Sequence, residues 1–219
     1  MLLKGVIYDL DGTIVYTAPV GVEAFLKAMK DLEIPQRHSV DEMITIMEIS
    51  LDNFLTTVLK GYEDLLPKVK LTWFNHFYEL AFKQGKLKLA ENIIETLIEL
   101  RKRGYKLAIG TSNLGAIVEL IVNHFNLDLY FDEIVTFDDV ENPKPAPDTF
   151  LFAAKSLNLK PEQIITVGDL EIDVIASKSA GMRSVLYNPP SHKKDISKFQ
   201  VKPDFVIENH SQLLEILGE

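Results

Sequence analysis

There is no cysteine among the 219 residues, which excludes a disulfide framework and thiolate chemistry. Positive charge is short as well: the formal net charge is -9, with Lys interspersed among Glu, so the basic stripe of a nucleic-acid surface is missing. No apolar run approaches the ~20 residues needed to cross a bilayer. The opening Met1 to Tyr8 lacks the charged region, apolar run and small-residue site of a signal peptide. Repeats, low-complexity tracts and flexible linkers are also missing. These absences predict a cytoplasmic protein with no membrane and no nucleic-acid partner. The 47% hydrophobic content suffices for one full core, or one core with a small appended domain.

What is present is an alternation. Leu3–Tyr8, Tyr105–Ile109, Glu133–Phe137, Gln163–Val167, Ser184–Tyr187 and Asp204–Ile207 are short apolar runs bounded by Gly, Pro, Asn or Asp, the pattern of buried strands. Between them apolar residues recur at helical spacing, as in Ile93, Leu97 and Leu100 before Gly104, Ile117, Ile121 and Phe125, and Phe150, Ala154 and Leu157 after Pro147. Strands alternating with helices predict an α/β fold with a parallel, Rossmann-like three-layer core. Residues 16–86 break the rhythm with helical spacing and no strand, which predicts a small inserted α-helical cap, the core being 1–15 and 87–219. An insertion after the first strand would hang over that strand's carboxyl end, where open α/β sheets bind ligands.

Polar groups collect at the expected strand ends. Asp9 and Asp11 flank Leu10 and precede Gly12; in extended geometry their side chains share a face, where two close carboxylates must retain a proton or take a cation. Asp-Gly is equally a common turn pair. Asp169 and Asp173 follow another apolar run and read as a second acidic pair, or as a helix cap at Asp169 with Asp173 a first-turn residue favoured by the helix dipole; Glu171 is expected to face solvent. Thr111, Ser112 and Asn113 follow Tyr105–Ile109, and Lys144 lies among Pro143, Pro145 and Pro147. Hydroxyl and amide groups at a strand-to-helix junction can hold phosphate oxygens or cap the helix. Parallel strands bring all these ends to one edge. Four carboxylates with one ammonium are too much charge for a packing device without a cation, and oxygen-only ligands suit magnesium.

The set Asp9-Leu10-Asp11-Gly12-Thr13, then Thr111, Lys144 and Gly168-Asp169 with Asp173, resembles the four motifs of the haloacid dehalogenase superfamily in order. The likeness is to its phosphatase branch with a helical cap, similar to phosphoglycolate phosphatases. It implies that Asp9 is a nucleophile forming an aspartyl-phosphate and that Asp11 is a general acid and base. Thr111 and Lys144 would join them as catalytic groups, with Ser112 and Asn113 also on the substrate phosphate. It further implies that Mg2+ is held by Asp9, the Asp11 backbone carbonyl and Asp169, with Asp173 binding directly or through water.

The implied substrate is a small phosphorylated metabolite, the implied state a monomer or homodimer. An acid at Asp11 separates the chain from the dehalogenases that named the superfamily. A phosphosugar mutase and a non-catalytic metal- and phosphate-binding module are the alternatives; Arg37 is the only Arg of the cap, which disfavours the former. Tyr16-Thr17 stands where many relatives have Asp-Ser or Asp-Thr, and Leu89-Ala90-Glu91 where Pro-Gly-Val is usual. The aromatic stripe Trp73, Phe74, Phe77, Tyr78 and Phe82 is expected inside a helical bundle, and His38, His76, His124, His192 and His210 at the surface or as caps.

Overall fold

The computed structural model describes residues 2–49 and 51–218. Met1 and Glu219, the outer limits of the expected core domain, and Ser50 of the expected cap lie outside the described residues. The chain divides into two compact units, one of Met1–Ile14 with Ala90–Glu219 and one of Val15–Leu89. Among the described residues no helix is long and apolar enough to cross a membrane.

The second unit is helical. It consists of α1 (Ala18–Asp31), α2 (Val40–Ile49), α3 (Leu51–Val58) and α4 (Leu66–Tyr78), the last continuing into a π turn at Glu79–Lys83. Pro19 and Pro67 occupy the first turns of α1 and α4, where a fixed φ helps and the missing N–H has no partner to lose. Phe25, Phe54, Met29, Met43 and Val69 form its core. Phe25 lies 4.7 Å from Phe54 and meets Trp73 edge-on at 5.4 Å between ring centroids. The Trp73 indole also donates to the Gly21 carbonyl at 2.8 Å. The aromatic stripe is therefore only partly interior, contrary to expectation: Phe74 and Tyr78 are exposed. Each follows a less exposed ring, Trp73 or Phe77, and one residue turns the helix by about 100°.

The first unit is a six-stranded parallel sheet of β1 (Gly5–Tyr8), β2 (Lys106–Gly110), β3 (Glu133–Val135), β4 (Ile164–Gly168), β5 (Arg183–Tyr187) and β6 (Phe205–Ile207). The spatial order is β3-β2-β1-β4-β5-β6. Among the described residues five α-helices accompany it: α5 (Ile93–Lys102), α6 (Gly115–Phe125), α7 (Asp148–Ser156), α8 (Glu171–Ser179) and α9 (Gln212–Leu217). Ile7, Ala108 and Val135 pack with Phe150 and Ala154 of α7 and Ala176 of α8. Tyr8, the next residue along β1, meets Phe131 and His210 instead, as the two-residue side-chain period of a strand requires. Burial on both faces is why β1 and β4 read as continuous apolar runs.

Register positions the strand ends. Tyr8 lies opposite Ile109 of β2 and opposite Val167 of β4, so the residues that follow these three strands emerge side by side. β3 stops at Val135 rather than reaching Phe137. The Thr136 N–H and hydroxyl both donate to the Asp139 carboxylate, at 2.7 and 2.8 Å, which draws the chain out of the ladder into a 3-10 turn.

Candidate active site

Asp9 continues the β1 ladder for one more bond, its N–H donating to Val167 O at 2.8 Å, so its side chain is delivered from a fixed backbone. The chain then turns through Gly12 at φ 78°, a region that L side chains avoid. A Cβ there would also lie 2.5 Å from Asp169 Oδ2. Glycine is thus required twice over, by conformation and by the approach of a carboxylate.

Beyond β2, Thr111 Oγ1 donates to Asp11 Oδ2 at 3.3 Å, and Asn113 Nδ2 lies 3.2 Å from each Asp11 oxygen. The Asn113 N–H donates back to Thr111 Oγ1 at 3.1 Å. Asn113 Oδ1 accepts the Leu114 N–H at 2.8 Å just ahead of α6, so Asn113 fixes the approach to the helix and grips Asp11 at once, while the first helical N–H, that of Gly115, donates to Asp138 Oδ2 at 2.8 Å. Ser112 is exposed at the turn.

Lys144 arrives from the proline-rich loop between β3 and α7, its peptide bond to Pro145 being cis. Its Nζ donates to Asp9 Oδ1 at 2.5 Å and to Asp173 Oδ1 at 2.7 Å, and sits 5.5 Å from the centroid of the Phe150 ring. Lys144 is 8% exposed, Asp9 6% and Asp173 3%. The solvated-loop reading of this lysine is excluded.

Asp169, directly after β4, is 2% exposed. Its Oδ1 accepts the Thr13 hydroxyl at 3.3 Å and its Oδ2 accepts Lys194 Nζ at 2.8 Å. Asp173, in the first turn of α8, both joins the acidic set and takes the capping contact that the sequence suggested for Asp169. Its Oδ2 caps α8 by accepting the Leu170 N–H at 3.0 Å, while Oδ1 holds Lys144. Gly168 makes room for it: a Cβ at Gly168 would lie 2.4 Å from that of Asp173.

The electrostatics follow from this crowding. Burial pushes the Asp9 carboxyl well above the ordinary carboxylate range; Lys144 draws it back, and Asp173, Asp11 and Asp169 push it up again. Burial works against the Lys144 charge, but Asp173 and Asp9 outweigh it, and its pKa lies above the usual lysine value. One oxygen from each of Asp9, Asp169 and Asp173 can be chosen so that all three lie within 4.8 Å of one another. A buried, oxygen-only set of this kind fits a hard divalent cation.

Three expectations need correction or extension. Glu171 does not face solvent freely; its carboxylate accepts the N–H groups of Gln200 and Val201 and pins that loop to the start of α8. His210 is neither a surface residue nor a cap. It is fully buried, stacked on Tyr187 at 4.1 Å, with Nε2 2.9 Å from Thr13 O. Lys194 went unrecognised, as did Asn188, which grips its backbone: Asn188 Oδ1 accepts the Lys194 N–H at 2.7 Å and Nδ2 donates to Lys194 O at 3.1 Å. Asn188 directly follows β5, so the strand-end rule that found Asp9, Thr111 and Asp169 would have found it too.

Comparison with known proteins agrees with this geometry. Residues 6–187 match the family described as haloacid dehalogenase-like hydrolase. The pyrophosphatase PpaX of Bacillus cereus is 30% identical over 220 residues, covering 100% of this chain and 98% of that protein. A crystal structure of a predicted phosphoglycolate phosphatase from Haemophilus somnus superposes with a TM-score of 0.84 at 26% identity, covering 98% of this chain and 97% of its own. CbbY of Rhodobacter sphaeroides, solved in complex with phosphate, gives a TM-score of 0.77 at 21% identity over 97% of this chain and 96% of its own; that likeness concerns the fold alone. With the family matched over most of its length and a relative aligned nearly end to end, the chain belongs to the haloacid dehalogenase-like hydrolases, in their phosphoglycolate phosphatase-like branch.

Proposed function

We propose that this phosphatase hydrolyses small phosphorylated metabolites through an aspartyl-phosphate on Asp9, with Mg2+ as cofactor and the helical insertion 16–86 as the cap that selects substrate. The observation that carries the assignment is the buried Lys144 ammonium bridging the buried Asp9 and Asp173. A buried carboxylate whose one oxygen is held by an ammonium is oriented, with its other oxygen left to act as a nucleophile.

In the first step an Asp9 oxygen forms a bond to phosphorus while the bond from phosphorus to the leaving oxygen breaks, and Asp11 delivers a proton to that oxygen. In the second, Asp11 takes a proton from water, the water oxygen bonds to phosphorus, and the Asp9–phosphorus bond breaks. The Thr111 and Asn113 contacts hold the Asp11 carboxyl at the strand edge; with substrate present the single Thr111 hydroxyl proton would turn to a phosphoryl oxygen and one Asn113 N–H would keep Asp11 in place. Thr111, Ser112, Asn113 and Lys144 would bind phosphoryl oxygens. When bound by Asp9, the Asp11 backbone carbonyl and Asp169, with Asp173 directly or through water, the cation supplies the positive charge that ionises Asp9 and screens it from the anionic ester.

Pyrophosphate and phosphoglycolate are the first substrates to try, because similar proteins carry those names. We take the enzyme to be cytoplasmic and monomeric or homodimeric; its net charge of -9 disfavours a polyanionic partner. The test is inorganic phosphate release from an aryl phosphate, pyrophosphate and a panel of phosphorylated metabolites, with Mg2+, with chelator, and with Asp9→Asn. Release that needs Mg2+ and disappears in Asp9→Asn is expected. Phosphate moved within a sugar without release would replace the reading by a mutase, and Mg2+ binding without turnover of any compound would replace it by a binding module.

A further inference from the structure

Asp169 is held by a lysine that belongs to none of the four sequence motifs. Lys194 reaches it from the irregular segment after β5, and the ammonium sits 2.8 Å from Asp169 Oδ2, with the lysine side chain 19% exposed and the carboxylate 3%. This is a built contact. The Asn188 side chain, itself 2% exposed, accepts from the Lys194 N–H and donates to the Lys194 carbonyl. The Asn188 N–H is in turn fixed to Ile207 O of β6 at 2.8 Å. The segment 188–194 is thereby closed into a loop that places the Lys194 ammonium on Asp169.

The loop acts where the cation would. Asp169 is one of the three carboxylates able to meet on a metal ion, and an ammonium on one of its oxygens repels a divalent ion at the same group.

We propose that Lys194 is an internal cation that competes with the metal for Asp169, so that the loop 188–194 sets the affinity of the site for divalent ions. The competition keeps the metal-free site from holding an unpaired buried carboxylate, and it weakens metal binding in return. The role is one of tuning: Lys194 acts through Asp169. This inference rests on the metal reading of the site.

The test is isothermal titration of Mg2+ and Mn2+ into metal-free protein at pH 8 and fixed ionic strength, for the parent, Lys194→Met, Lys194→Arg and Asp169→Asn. Lys194→Met is expected to bind the ions more tightly, by about tenfold or more, because a like charge is removed from within a few ångströms of the ion. Lys194→Arg, which keeps the charge, is expected to stay near the parent. A thermal melt supplies a readout independent of binding heat. Without metal, Lys194→Met is expected to melt below the parent, and added Mg2+ is expected to raise its melting temperature by more than it raises the parent's. Unchanged or weaker binding in Lys194→Met would overturn the competition and make Lys194 an orienting group for Asp169. Binding in the parent that is lost in Asp169→Asn upholds the metal site whatever Lys194 does, whereas no binding to the parent sinks the metal reading itself.

Discussion

Replacing Lys144 by Met tests the centre of the site most directly. The methionine chain is close in length and apolar, so it fills the slot beside Phe150 and removes little beyond the ammonium. Its loss leaves the oxygens at 2.5 and 2.7 Å, from Asp9 and Asp173, buried without their counter-ion. Breaking a buried ion pair by deleting one partner costs about 3–5 kcal/mol, and with two carboxylates stranded the upper end is expected in metal-free protein at pH 8.

The pH dependence has a definite sign. Burial already holds the folded-state pKa of Asp9 above its ordinary value of 3.8, and without Lys144 it rises further. A folded carboxyl that keeps a proton the unfolded chain has released makes stability fall as pH rises from 3.8 toward the folded value. The deficit of Lys144→Met is therefore expected to be small near pH 4 and largest above pH 7. Urea unfolding in chelator, followed by circular dichroism from pH 4 to 8, measures it. A variant within about 1 kcal/mol of the parent at pH 8, below the range for a broken buried pair, would refute the claim that Lys144 balances these carboxylates. Turnover is expected to fall at least about 100-fold in the same variant, as for the loss of one preorganised charge at a transferring group.

Three other changes probe separate parts of the structure. Asp11→Asn preserves shape and should lower kcat by about 100- to 10,000-fold while magnesium affinity, measured by titration, changes little, because the expected ligand there is the backbone carbonyl; a large loss of affinity would show that the side chain binds the ion. Gly168→Ala drives a methyl into Asp173, 2.4 Å away, and should cost about 1–3 kcal/mol together with most activity; unchanged melting and turnover would mean the strand end yields freely. His210 is pushed down to about 4 from 6.5 by burial. Stability should therefore fall by up to about 3 kcal/mol as pH drops through that interval, and His210→Phe should remove this slope. An identical slope in the variant would mean the histidine is not the group that titrates.

What was legible in the sequence shares one physical origin. Asp9, Thr111 and Asp169 each follow a buried strand directly, and parallel register brings those ends together. A local pattern repeated in the chain was thus enough to assemble a site in space. Lys144 was recoverable because prolines confine its loop, and Asp173 because it lies one turn into α8.

The residues that escaped are held by contacts no local pattern encodes. Lys194 meets Asp169 from an irregular loop 25 residues away, and His210 meets the Thr13 carbonyl across 197 residues. The histidine shows why polarity alone misleads. A carbonyl can only accept, so Nε2 carries the proton and Nδ1 is left as a bare lone pair. That nitrogen is buried without a hydrogen-bond partner among the described residues, so protonation would put an N–H where none of them accepts it. A residue that reads as hydrophilic is thus kept neutral against Tyr187, and beneath Thr13 it braces the turn that carries Asp9 and Asp11. Its contribution to the site is the position of that backbone, which is why it belongs with the stability predictions and not among the groups that move protons.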